Sequence, residues 1–199
     1  MIRSGRRAVV SVAKEMKARA FVTGTTGNVS ARTRRGMLIT PTRRAYETLR
    51  PRDLLHTTLD GDTGRRGTKP SLEWPIHAAI YRERPDVNAV VHTHSPWATA
   101  RGFQPEALEV RTEERTYYGL ESVPVVPPHP AGSAALAAAI TLELMGADLV
   151  LLAEHGVIAV GRSPGAALEL CALAEYLAQV DLLARVRSEL PAAMPDLRR

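Results

Sequence analysis

A run of apolar residues that ends in two histidines constrains this chain more than any other feature. Ala89 to Val91 lead directly into His92, Thr93 and His94. Such a run is typical of a buried β-strand. Side chains alternate between the two faces of a strand, so residues two apart point to the same side. The spacing therefore predicts a strand end at which two imidazoles can bind one metal ion.

A third histidine follows a second apolar run. His155 stands after residues 148–153 and before Gly156, within a predicted hairpin. Three histidines from two strand ends, with one coordination position open, are typical of catalytic zinc sites. His92, His94 and His155 are therefore the candidate metal ligands. The alternative that each is an ordinary buried or surface histidine stays open on spacing alone.

Composition favours one soluble domain. The 199 residues suit a single compact core. The net charge of +5 comes mainly from scattered arginines, with no basic stripe or interleaved aromatics, which argues against a nucleic-acid partner. The only cysteine, Cys171, cannot form an internal disulfide, which favours a reducing compartment. No stretch approaches the roughly 20 apolar residues that span a bilayer, so we expect a cytoplasmic protein without membrane contact.

Helical and strand-like patterns intermix, which predicts a mixed sheet covered by helices. Helical periodicity or caps predict five helices, at 6–20, 72–84, 96–101, 132–145 and 163–190. Apolar runs predict strands at 37–40, 54–59, 89–94 and 122–126 and a hairpin at 149–160. We expect a turn over 21–30, one domain over 1–190 and a frayed tail over 191–199.

Glu73 lies in the first turn of the helix predicted after Ser71, the expected N-cap. A carboxylate there often only complements the helix dipole. The alternative is that it faces the metal as a general acid/base. His77 shares the helix face of Glu73 four residues later, where packing is the simpler interpretation and support of the metal site is the other.

The segment Gly24–Ser30 is rich in glycine and in hydrogen-bond donors. Turns of this kind can bind a phosphate, although a plain glycine turn is an equal alternative. The segment has neither the lysine of a Walker loop nor the glycine spacing of a dinucleotide-binding turn.

Taken together, five segments resemble the class II aldolase/adducin family over about residues 6–185. The matching segments, in chain order, are Gly24–Ser30, Met37–Thr42, Lys69–Glu73, Ala89–His94 and Glu154–Gly156. The resemblance implies an α/β fold: a three-layer α/β/α domain with a mostly antiparallel central sheet. It also implies a homo-oligomer, commonly a tetramer, with active sites between subunits.

The resemblance assigns roles to these residues. It makes His92, His94 and His155 the ligands of one zinc ion per subunit, with another divalent transition metal as the alternative. It makes Glu73 the catalytic acid/base. The implied substrate-binding residues, which face a phosphate, are Thr25, Gly27, Asn28, Arg43 and Ser71. The implied activity is reversible cleavage of a small ketose or deoxyketose phosphate to a dihydroxyacetone-phosphate-like product and an aldehyde.

The chain departs from the family pattern at the substrate pocket. Leu72 replaces the second serine, and Arg43 replaces a glycine. Arginine binds phosphate and carboxylate alike, so either anion fits. The catalytic tyrosine of the fuculose-type enzymes aligns with Glu113, and Tyr117 and Tyr118 are the predicted substitutes.

Other activities stay open at this point. A metal-dependent sugar-phosphate epimerase is disfavoured, because the epimerases of the family that this chain resembles carry aspartate at the position that corresponds to Glu73. Decarboxylation of a keto-acid sugar phosphate stays open, because Arg43 could bind the carboxylate of such a substrate. A non-catalytic, adducin-like binding protein is disfavoured by the intact histidine triad. A Schiff-base aldolase using Lys69 lacks the desolvated or cation-rich setting that activates a lysine.

Overall fold

The structure is a computed structural model that describes residues 2–63, 67 and 69–189. The described helices are α1 (Ile2–Ala18), α2 (Trp74–Glu83), α3 (Pro96–Arg101), α4 (Glu114–Tyr118), α5 (Ala134–Glu143) and α6 (Pro164–Glu189). The described strands are β1 (Asn28–Thr33), β2 (Gly36–Ile39), β3 (Leu55–Thr57), β4 (Ala89–Thr93), β5 (Leu108–Glu109), β6 (Ser122–Val123), β7 (Val125–Val126), β8 (Leu149–Leu152) and β9 (Gly156–Gly161). Two short 3-10 turns, Tyr46–Thr48 and Pro51–Asp53, lie between β2 and β3.

Seven of the described strands form the central sheet, in the order β3-β2-β1-β4-β9-β8-β7. Every neighbouring pair is antiparallel except β7 and β8, which are parallel. The strands β5 and β6 pair separately. The predicted α/β fold with a mostly antiparallel central sheet is confirmed.

Side-chain alternation in the strands builds one core on each face of the sheet. Val91 packs with residues of α1, α3 and α6 on one face, whereas Val90 packs with residues of α2 and α5 on the other. In β9, Val157 joins the first core and Ile158 the second. The sheet is thus the middle layer of three, and its strands are apolar on both faces because both are covered.

Two predictions about the strands were wrong. The turn expected over 21–30 ends at Gly27, and β1 already begins at Asn28 because it pairs with β4. The single strand expected over 122–126 is interrupted at Pro124, which has no N–H to donate to a sheet. Residues on either side of Pro124 form β6 and β7, which belong to different sheets.

No described helix is long and apolar enough to cross a membrane. The tail predicted at 191–199 lies outside the described residues, and the domain limits of 1–190 stay a prediction.

Candidate metal and anion site

The candidate site lies at the end of β4, the middle strand of the central sheet. His92 pairs with Asn28 of β1 on one side and with Ile158 of β9 on the other. His94 follows the last residue of β4, and its backbone N–H donates to the carbonyl of Phe21. His155 occupies the turn between β8 and β9. Three segments far apart in sequence therefore meet around one strand end.

Two glycines allow the neighbouring loops to approach β4 closely. A Cβ added at Gly156 would lie 2.1 Å from the carbonyl oxygen of Thr93, and one added at Gly27 would lie 2.6 Å from that of His92. Gly27 also has a φ of +68°, which favours glycine. Any larger residue would move His155 or Asn28 away from His92.

Four side chains converge in this space. The ligand atoms of Glu73, His92, His94 and His155 all lie within 4.8 Å of one another. Glu73 Oε2 lies 3.3 Å from His92 Nε2, and Glu73 Oε1 lies 3.4 Å from His155 Nε2. The Nε2 atoms of His92 and His94 are 2.9 Å apart.

Two of the histidines, His94 and His155, are favoured in the form that binds metals, which is the neutral imidazole. His92 Nδ1 lies 2.8 Å from the carbonyl oxygen of Val157, which can only accept, so Nδ1 carries a proton and Nε2 is the atom that faces Glu73 and His94. Burial, reinforced by His92, lowers the pKa of His94 to about 3. Burial and the same neighbour also lower the pKa of His155.

These residues fit a divalent metal ion. Glu73 Oε1 is buried and has no hydrogen-bond partner among the described residues. A tetrahedral zinc ion with bonds of about 2.0–2.1 Å holds its ligands roughly 3.3 Å apart, close to the separations around Glu73 and His92. Imidazole nitrogens with one carboxylate also suit other transition metals, so the donor set fits a transition-metal ion without selecting the element.

Glu73 immediately precedes α2 and occupies its N-cap position. The cap predicted at Ser71 was therefore wrong: the helix begins at Trp74, and the Ser71 hydroxyl accepts a bond from the Glu73 backbone N–H instead. Burial raises the pKa of the Glu73 carboxyl. The positive charge that His92 or His155 carries when protonated, and the Asn28 amide that donates to the carboxylate, outweigh burial and lower the pKa below its usual value. The carboxylate is thus ionised at neutral pH.

All predicted substrate-binding residues border one cavity of about 560 Å³ beside this cluster. Its walls include Thr25, Gly27, Asn28, Arg43 and Ser71, together with Glu73, His94 and His155. Arg43 has a φ of +54°, unusual for a residue with a side chain. Its exposed side chain makes no hydrogen bond or ion pair with the part of the chain that the structure describes. A free cation at the cavity wall can bind an anionic substrate group.

Tyr117 and Tyr118 lie elsewhere in the chain. They stand on α4 and border a separate cavity with Glu113, Glu114 and Tyr176. Tyr117 is 81% exposed. Within a single chain the structure does not bring either ring together with the histidines, so their catalytic role stays a prediction.

Sequence reasoning missed Ser30 and Tyr81, which continue the site into the core. Ser30 Oγ lies 2.6 Å from His77 Nδ1 and 2.7 Å from the Tyr81 hydroxyl. Residue spacing in the sequence could have indicated them. Glu73, His77 and Tyr81 are spaced by four, which places them on one helix face. Asn28 and Ser30 are spaced by two, which places them on one strand face.

Comparison with known proteins agrees with this geometry. The family model described as "Class II Aldolase and Adducin N-terminal domain" matches residues 7–182. The L-fuculose phosphate aldolase of Escherichia coli (strain K12) is 36% identical over 177 residues, 88% of this chain and 81% of that protein. The 5-methylthioribulose-1-phosphate/5-deoxyribulose-1-phosphate aldolase of Escherichia coli O45:K1 is 35% identical over 151 residues, 76% of this chain and 70% of that protein. The solved L-fuculose-1-phosphate aldolase from Thermus thermophilus superposes with a TM-score of 0.84 at 30% identity and covers 94% of this chain and 97% of its own.

Proposed function

This chain belongs to the class II aldolase and adducin family and is a carbon–carbon lyase, and from that premise we propose that it reversibly cleaves a small ketose 1-phosphate or deoxyketose 1-phosphate with the help of one zinc ion per chain. The products are a dihydroxyacetone-phosphate-like ketone and an aldehyde. The relatives that act on fuculose, methylthioribulose and deoxyribulose phosphates support this substrate class.

One observation carries the proposal: a cluster of three histidines and an ionised glutamate lies beside a cavity that Glu73, His94 and His155 border together with an anion-binding wall. His92, His94 and His155 supply the nitrogen ligands, and Glu73 stands beside them. Thr25 and Arg43 lie on the cavity wall that can bind a phosphate. This arrangement positions a substrate with an anionic end and a reacting carbonyl.

The three histidines would hold the metal, which when bound supplies Lewis-acid stabilisation of the negative charge that develops on the substrate oxygens. In the cleavage direction, a base removes the proton from the hydroxyl beyond the scissile carbon–carbon bond. That bond breaks, its electron pair stays on the ketone fragment, and the other fragment leaves as the aldehyde. Glu73 then delivers a proton to the carbon of the ketone fragment, and in the condensation direction it removes the same proton.

The anionic end of the substrate is assigned to the wall formed by Thr25, Gly27, Asn28, Arg43 and Ser71. Backbone and hydroxyl donors there favour an anion, and the guanidinium of Arg43 adds a full charge. This end supplies binding energy away from the bond that breaks, so it aligns the reacting carbon with Glu73.

The group at the aldehyde end, which takes the hydroxyl proton in cleavage and returns it in condensation, is assigned to Tyr117 or Tyr118 of a second copy of the chain. Neither ring reaches the cavity within one chain, so this role requires a homo-oligomer. A tetramer in the cytoplasm, with no nucleic-acid or membrane partner, completes the proposal.

A keto-acid sugar phosphate is the second candidate substrate, with decarboxylation as the reaction. Arg43 carries this alternative, because a guanidinium binds carboxylate as well as phosphate in a bidentate manner. Release of carbon dioxide from such a substrate, without aldehyde formation, would favour it.

The test combines elemental mass spectrometry with aldehyde release from a panel of ketose 1-phosphates. We expect about one zinc ion per chain in the native protein, and loss of metal and activity together in His92→Ala. Glu73→Gln should keep the metal and lose at least about 100-fold in kcat, as expected for removal of a general acid/base. No metal after zinc is supplied, or full turnover in Glu73→Gln, would contradict the proposal.

A further inference from the structure

A row of hydrogen bonds runs from Glu73, beside the three histidines, into the core between β1 and α2. Asn28 Nδ2 lies 2.8 Å from Glu73 Oε2, and the other end of that amide, Oδ1, contacts His77 Nε2. His77 Nδ1 lies 2.6 Å from Ser30 Oγ, which lies 2.7 Å from the Tyr81 hydroxyl. Tyr81 is thus connected to Glu73 through three side chains.

The donors in this row all point the same way. An ionised carboxylate only accepts, so the Asn28 amide nitrogen must donate to Glu73 and its oxygen must face His77. That oxygen accepts the proton of His77 Nε2, which leaves Nδ1 of the neutral ring as an acceptor. Ser30 then donates to His77 and accepts from Tyr81. Each donor–acceptor assignment follows from the one before it.

The row is sealed from water. Asn28, Ser30, His77 and Tyr81 are each at most 1% exposed. Polar groups in such a place are costly unless every one is bonded, so a complete row has one stable arrangement. Burial also lowers the pKa of His77 to about 3, which keeps the ring neutral.

The far end of the row is fixed by a cation. The Arg32 guanidinium lies over the Tyr81 ring, 4.6 Å from its centre, and also donates to the Tyr81 carbonyl oxygen at 2.8 Å. It donates further to the carbonyls of Val87 and Arg84, so Arg32 ties the end of α2 to β1. The hydroxyl of Tyr81 is therefore held against Ser30.

We propose that His77, Ser30 and Tyr81 are positioning residues that hold the Asn28 amide in the orientation that donates to Glu73 Oε2. Glu73 Oε1 is thereby left as the oxygen available for proton transfer, and it has no hydrogen-bond partner among the described residues. This inference rests on the proposed function of Glu73. It assigns to the reaction three residues that do not themselves touch the substrate.

The consequence is a specific kinetic signature. If the row is broken, Asn28 can turn its amide and Glu73 loses its fixed orientation, while the histidines and Arg43 are unchanged. Partners that orient a metal site or its neighbours typically contribute about 10–100-fold to activity. We expect that loss in kcat with metal content within about 3-fold of the native value. Asn28 is one of five residues on the anion-binding wall, so KM should rise by a smaller factor than kcat falls.

Ser30 offers a matched pair of variants. Ser30→Thr and Ser30→Val have the same shape, so they disturb packing equally, but only threonine keeps the hydroxyl. We expect Ser30→Thr to retain kcat within about 3-fold, whereas Ser30→Val should lose about 10–100-fold. Tyr81→Phe, which removes a single oxygen at the far end, should cause a smaller loss in kcat than Ser30→Val and a smaller change in KM.

A second readout does not depend on turnover. The ¹⁵N chemical shifts of His77 report which ring nitrogen carries the proton, and we expect the Nε2–H form in the native protein and in Ser30→Thr. Equal kcat in the valine and threonine variants, unchanged kcat in Tyr81→Phe, or an Nδ1–H ring in the native protein would each overturn the inference. Absence of aldol cleavage by the native protein would instead refute the proposed function, and the ¹⁵N measurement would still test the row.

Discussion

Replacement of Arg43 by glycine should move stability and substrate binding in opposite directions. Arg43 has a φ of +54°, a left-handed conformation that costs a residue with a Cβ roughly 1–2 kcal/mol. Glycine adopts this conformation without that cost. The guanidinium meanwhile lies on the wall of the substrate cavity with no described partner of its own. If Arg43 binds the substrate anion as proposed, its strained conformation serves binding rather than folding.

The magnitudes follow from this geometry. Glycine relieves the strain but also adds chain entropy to the unfolded state, which costs roughly 0.4–1 kcal/mol. The net increase in the free energy of unfolding is about 0.5–1 kcal/mol. For a chain of this size that gain raises Tm by about 1–4 °C. A charge-assisted hydrogen bond contributes about 1.5–3 kcal/mol, reduced to about 1–2 kcal/mol at an exposed site. KM should therefore rise about 5- to 30-fold.

Three variants separate the two effects. Arg43→Gly loses both charge and strain, Arg43→Ala loses the charge and keeps the strain, and Arg43→Lys keeps both. Tm by calorimetry and KM for a ketose 1-phosphate are measured on each. We expect a raised Tm only for the glycine variant and a raised KM for glycine and alanine. An unchanged KM in Arg43→Gly would refute the anion contact, and an unchanged Tm would refute the strain argument.

Three further outcomes are expected. Gly156→Ala should lower the free energy of unfolding by about 1–3 kcal/mol, because its Cβ would lie 2.1 Å from the Thr93 carbonyl oxygen. The control is Gly146→Ala, whose Cβ would meet no atom within 4 Å and which should be nearly neutral. Both are measured by urea unfolding. Because burial lowers the pKa of His77 to about 3, the unfolded chain binds a proton that the folded chain excludes. At pH values below about 6.5, the free energy of unfolding of the metal-free protein should thus decrease, by up to about 1.4 kcal/mol per pH unit for this group. Urea titrations should show a shallower decrease in His77→Gln. An equal slope in both proteins would contradict the assignment. Chelation should lower Tm reversibly in the native protein but not in His94→Ala, since a ligand that binds only the folded state stabilises it.

Much of the candidate metal site could be predicted from the local spacing of its histidines. His92 and His94 follow an apolar run and stand two residues apart, and a strand places such residues on one face. His155 follows a second apolar run. The proximity of Glu73 came from the family resemblance, since a carboxylate before a helix is also explained by the helix dipole. The structure places all four within reach of one ion.

The row behind Glu73 was not predicted beyond His77. Spacing by four in α2 and by two in β1 shows which residues share a face, but not that the two faces meet. Their contact depends on the register of β1 against β4, with Asn28 opposite His92, and on the packing of α2 over that strand. The misassigned turn at 21–30 hid this register.

The sequence by itself determined the fold class and the histidine spacing, because these depend on periodicity along the chain. Only the tertiary structure decided which polar side chains meet: that Ser71 bonds a backbone N–H rather than capping α2, that Tyr117 lies away from the cavity, and that Tyr81 connects to Glu73. These contacts join residues distant in sequence. Their partners are selected by packing of whole elements, which no local pattern encodes.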